Sequence, residues 1–69
     1  MTRYIFEDNQ DPDDKEIVIS TSLKKAVIKF AKNVVPDIND FPSYQALKEW
    51  VGDNFNVYEM TRNKIKRVL

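Results

Sequence analysis

Leu23, Ala26, Val27, Phe30, Ala31 and Val34 recur at i, i+3, i+4, i+7, i+8 and i+11. That is the period of a helix with one apolar stripe, and it constrains the fold more than any other feature of the chain. Ser20, Thr21 and Ser22 stand before the run as N-cap candidates. Pro36 closes it, because the residue before a proline is pushed out of the helical region. Ile28 lies at the border of the stripe, and Lys25, Lys29 and Lys32 share the opposite face.

The segment before this helix reads differently. Residues 3–7, RYIFE, put Tyr4 and Phe6 on one side of a pleat and Ile5 on the other. Residues 16–20, EIVIS, put Ile17 and Ile19 on one side. Both runs are short, aromatic or β-branched, and alternating, so both predict strands. Between them lies a turn-rich acidic stretch around Pro12. The two strands are therefore expected to form an antiparallel hairpin with a loop of about eight residues, longer than the commonest two-residue turns.

After the helix, Pro36 and Pro42 bracket a loop, PDINDFP. Ser43 is placed to cap a second helix in which Tyr44, Leu47, Trp50 and Val51 share a face, with Ala46 at its border. Gly52, the only glycine, is read as the residue that ends this helix at C′. The last segment has two readings. Asn56 and Glu59 form a relaxed capping box, and Val57, Tyr58, Thr61, Ile65, Val68 and Leu69 then gather on one helical face, which favours a helix. A third strand over residues 56–62 is the other reading. The expected fold is a single α+β domain over residues 1–69: an N-terminal antiparallel β-hairpin packed against two or three short helices, or β-β-α-α-β if residues 56–62 are extended. A two-stranded sheet alone is marginal, which keeps the third strand in play.

Composition narrows the function. The 69 residues contain no Cys and no His. Disulfides, zinc-thiolate sites, thiol catalysis and the usual general base near neutral pH are excluded. The serines and threonines have no base beside them, and the adjacent carboxylates Asp13 and Asp14 sit in a loop. Neither catalysis, a cofactor nor a metal is expected. No apolar run exceeds three residues, and the N-terminus has no apolar signal region, so a cytoplasmic protein without membrane contact is expected.

Charge is zero overall but sorted along the chain. Residues 1–22 carry −4, residues 23–35 carry +4 from Lys24, Lys25, Lys29 and Lys32, residues 36–60 carry −4, and residues 61–69 carry +4. Such sorting speaks to partners rather than to fold, and predicts a bipolar surface. Six acids fall between positions 7 and 16. They do not make a calcium loop: with Asn9 as the first position, Asp14 takes the place of the turn glycine and Ser20 that of the bidentate glutamate. They suit instead an acidic prong for a basic groove on a partner. Most aromatics fall on apolar faces and are expected in the core, since a chain this short cannot spare them. Tyr58 and Met60, the latter off the apolar arc of its helix, are the candidates for an exposed contact point.

These features predict a small non-enzymatic protein-binding modulator or inhibitor that docks on a larger protein. The expected contact residues are Asp11, Asp13, Asp14, Glu16, Tyr58 and Met60. Its size and its Asn/Asp/Lys/Ile-rich composition suit an accessory protein of the kind phages and mobile elements encode, acting as monomer or homodimer. The alternative is a DNA-binding regulator. There the helix pair over residues 43–69 forms a helix-turn-helix outline with Arg62, Asn63, Lys64, Lys66 and Arg67 on the second helix. Lys25, Lys29 and Lys32 then lend phosphate contacts.

Overall fold

A computed structural model describes residues 1–69. Strands β1 (Thr2–Asp8) and β2 (Asp11–Ser20) form the N-terminal hairpin. Helix α1 (Leu23–Val34), a single 3-10 turn (Ile38–Asp40) and helix α2 (Tyr44–Asn54) follow. Strands β3 (Phe55–Thr61) and β4 (Lys64–Arg67) complete the chain. The four strands make one antiparallel sheet in the order β2-β1-β3-β4, and both helices lie on the same face of it. The architecture is α+β, two layers deep.

Local chemistry explains the helix ends. The Ser22 Oγ accepts from the Lys25 N–H at 3.2 Å and begins α1. At the other end the Val35 N–H donates to the Ala31 carbonyl, and Pro36 prevents another turn. Ser43 begins α2 in the same way, its Oγ accepting from the Ala46 N–H at 3.2 Å. Ala26, Val27, Phe30 and Ala31 are buried, but Val34 is exposed: the apolar stripe of α1 runs off the edge of the sheet one turn before the helix ends.

The core lies between the helices and the inner face of the sheet. Tyr4 and Phe6 of β1, Val18 of β2 and Val57 of β3 meet Val27 and Phe30 of α1 and Leu47 and Val51 of α2. Aromatic contacts tie the layers together. Phe6 stacks on Phe30 with ring centroids 4.1 Å apart, and Phe55 meets Phe30 edge-on at 4.8 Å. Trp50 bridges Phe55 and Phe41.

Three expectations need correction. First, residues 56–69 are not a helix: they form β3, a two-residue turn and β4. The free edge of β1 decides this. Pairing Phe6 with Val57 and Tyr4 with Glu59 satisfies the backbone groups of that edge, which a helix cannot do, and leaves Val57 completely buried. Second, Gly52 is inside α2 rather than beyond it, and has no positive φ. The helix runs on to Asn54, whose side-chain amide donates to the Trp50 carbonyl at 2.8 Å. Third, the first hairpin has no eight-residue loop. Asn9 and Gln10 make the turn, and β2 resumes at Asp11. Asp8 pairs with Asp11 but Glu7 with Lys15, so Pro12, Asp13 and Asp14 bulge out unpaired. Proline is tolerated there because β2 is an edge strand.

Candidate interaction surface

In a two-layer fold with helices on one side only, alternate residues of every strand point away from the core. On β1 these are Arg3, Ile5 and Glu7, between the buried Tyr4 and Phe6. Register then fixes their neighbours. Arg3 lies between Ile19 and Met60, Ile5 between Ile17 and Tyr58, and Glu7 between Lys15 and Asn56. On β4, Ile65 stands beside Met60 and Arg67 beside Tyr58. Ile17, Ile19 and Ile65 are 57%, 47% and 63% exposed, and Ile5, Tyr58 and Met60 are half-buried. The outer face of the sheet is thus an apolar surface that nothing in the chain covers.

A polar row borders it. The Lys15 ammonium is 3.8 Å from the Glu7 carboxylate, the Asn56 amide donates to the other Glu7 oxygen at 3.1 Å, and the Arg67 guanidinium donates to the Asn56 side-chain carbonyl at 3.2 Å. The row crosses all four strands. Because each member holds the next, the side chains are preordered at the rim of the apolar area.

The expected contact residues separate into three places. Tyr58 and Met60 lie on this outer face because they alternate with Val57 along a strand, not because of the helical arc that set Met60 apart in the sequence. Asp11, Asp13 and Asp14 lie at the exposed tip of the first hairpin. Asp8 and Asp11 each fold their carboxylate onto a backbone N–H two residues on, at 2.9 and 3.3 Å, which shapes that tip. Glu16 faces the helices and accepts from the Asn33 amide at 3.5 Å. Ile5, Ile17, Ile19 and Ile65 join the candidates on this face. For Ile5, Ile17 and Ile19 the signal was present in RYIFE and EIVIS, which are apolar on both sides of the pleat although one layer of helices covers only one.

The helix-turn-helix outline is overturned. Arg62 and Asn63 form the β3–β4 turn, Lys64, Lys66 and Arg67 belong to β4, and residues 43–69 contain one helix. On a strand, Lys64 and Lys66 alternate with Ile65 and Arg67, so this basic run divides between the two faces of the sheet. Lys25, Lys29 and Lys32 are far from it in the fold: α1 packs over β1 and β2, with β3 and α2 between it and β4. Lys29 also has a local task, its ammonium donating to the Ile19 carbonyl on the open edge of β2 at 3.3 Å. Lys24 sits 5.2 Å from the centre of the Tyr44 ring.

Charge sorting survives at the two ends of the sheet. Asp8, Asp11, Asp13 and Asp14 gather where β1 ends, whereas Arg3 and Arg62 share a recess of about 390 Å³ where β1 begins, with Lys64 beside the same turn. On the helical layer between them the signs are mixed: α1 carries Lys24, Lys25, Lys29 and Lys32, and α2 carries Lys48 beside Glu49 and Asp53. No three acidic side chains converge in a way that could hold a metal ion. No helix is long and apolar enough to cross a membrane. Comparison of the chain with protein-family models, with curated proteins and with solved structures finds no match.

Proposed function

We propose that this protein is a small protein-binding module that modulates a larger protein by docking its outer sheet face on it. The observation that carries the reading is the uncovered apolar area formed by Ile5, Ile17, Ile19, Tyr58, Met60 and Ile65. Contiguous exposed apolar surface of this kind marks contact sites, because each such side chain gains up to roughly 1.5–3 kcal/mol on full burial. Tyr58 near the middle supplies a large, rigid anchor with a polar tip, and the row from Lys15 to Arg67 supplies the polar rim. The acidic hairpin tip beside this face favours a partner with a basic patch, and accelerates its approach.

The test is affinity capture with wild-type protein beside two variants of the same fold, Tyr58→Lys and the triple change of Asp11, Asp13 and Asp14 to Lys. A protein retained by the wild type and lost from the Tyr58→Lys sample supports the reading, and weaker retention by the triple variant assigns the tip its steering role. Retention that is equal for all three samples, or no retained protein under mild washing, refutes it.

A further inference from the structure

We propose that a second copy of this chain covers the outer sheet face in solution, its strands running opposite to those of the first. This goes beyond docking on a larger protein and does not depend on it. The order of charge along β1 carries the inference. Arg3, Ile5 and Glu7 project in succession from the outer face: positive, apolar, negative. A twofold axis across the strands at Ile5 sets each Arg3 over Glu7 of the other copy. The row on that axis, Ile17, Ile5 and Tyr58, is apolar on three adjacent strands and meets itself, and Arg67 ends the row on β4 with its guanidinium turned aside onto Asn56. The same operation brings the acidic tip of each copy, with Asp11, Asp13 and Asp14, toward the end carrying Arg62 and Lys64 in the other. A chain of zero net charge with opposite poles is self-complementary under this symmetry.

The alternative twofold, parallel to the strands, fails on the same residues. It places Arg3 over Met60 and Glu7 over Asn56, leaves both charges unmatched, and drives the two acidic tips together. Lys15 and Arg67, the remaining charges of the face, stand on the edge strands β2 and β4. There each is held within its own copy, Lys15 by Glu7 and Arg67 by Asn56, at the border of the contact.

The area is adequate for a reversible dimer. Four strands span roughly 19 Å and their paired length is roughly 20 Å, so complete cover removes on the order of 1,000 Å² over both copies. That is the low end for specific interfaces and matches association that depends on concentration. A larger partner using the same face competes with the second copy, which makes the dimer a resting form.

Sedimentation velocity over a concentration series tests the proposal, with circular dichroism to verify the fold of each variant. The wild-type mass is expected to rise from 8.1 kDa toward twice that value. Arg3→Glu and Glu7→Lys, each alone, should weaken association about tenfold or more, and the two together should restore it, because the swapped charges match again. Ile17→Lys, at an exposed position of an edge strand, should abolish association without touching that charge pair. A mass that stays at 8.1 kDa at millimolar concentration overturns the proposal. So does a dimer indifferent to Arg3→Glu and Ile17→Lys, or a double variant no better than the singles. The two readings share this face and are told apart by the readout: Arg3→Glu, which keeps Tyr58 and the isoleucines, should shift the mass yet still capture a larger protein, whereas Tyr58→Lys should lose that protein.

Discussion

The side-chain amide of Asn9 donates to the backbone carbonyl of Asp53, 2.7 Å away and 44 positions along the chain. The Asn9 N–H donates to the next carbonyl, that of Asn54, at 3.1 Å. The first hairpin thus supplies two donors to the C-terminal end of α2, where helical carbonyls lack partners of their own. Replacing Asn9 with Ala removes one of these bonds. The expected loss is about 1 kcal/mol of unfolding free energy in a urea titration, and an unchanged midpoint would mean that water replaces the amide at no cost.

Gly52 is in the interior of α2, and a Cβ built there meets nothing within 4 Å. Its backbone is one that any residue adopts. Gly52→Ala should therefore stabilise the protein by about 0.4–1 kcal/mol, chiefly by reducing the freedom of the unfolded chain. Thermal unfolding followed by circular dichroism reads this directly, and a lower midpoint would contradict the helical placement of residue 52.

Phe6 and Ile17 are both large apolar residues of the first hairpin, but they stand on opposite faces of the sheet. Phe6 is 1% exposed and stacks on Phe30, whereas Ile17 is open to solvent. Phe6→Ala should cost about 3–5 kcal/mol, comparable to the whole stability of a domain this small, and leave the chain unfolded. Ile17→Ala should cost less than about 1 kcal/mol at concentrations where the chain is monomeric. Equal losses at the two positions would refute the one-sided core.

Tyr44 packs beside Leu47 and Phe41 at the start of α2, and burial raises its phenol above the ordinary tyrosine range. Burial disfavours the phenolate, so the folded state holds this proton to higher pH than the unfolded state does. The contribution is constant below the unfolded pKa near 10 and is lost as pH rises through the folded value. Stability should consequently fall more steeply above about pH 10 for the wild type than for Tyr44→Phe. Denaturant midpoints of the two proteins measured across that range check the difference, and parallel curves would refute it.

The elements that sequence made legible are those whose partners are near in the chain. The stripe of α1, the capping serines and the alternation in RYIFE and EIVIS are local patterns, and the fold keeps them. Gly52 was misread because what lets α2 continue past it, the donors of Asn9, comes from the other end of the sequence. Residues 56–69 satisfied helical and extended spacing equally well at Val57 and Ile65, and the choice was made by the unpaired edge of β1.

The exposed apolar face was less legible. Ile5, Ile17 and Ile19 belong to strands apolar on both sides, and only the placement of the helices tells which side is left open. Met60 stands out in the sequence by falling off the apolar arc of a helix, a reading that the strand pairing replaces, and the same helix would have turned Tyr58 inward.

The strand order has a consequence for synthesis. β1 lies in the middle of the sheet, between the strand that follows it at once and β3, which is made only after both helices. Phe6 emerges from a ribosome early, but the neighbour that closes over its second edge, Val57, emerges late. Until then the nascent chain holds a hairpin with an unguarded edge and two helices without their full platform, the state in which it is most open to capture by a chaperone or to pairing with another growing chain.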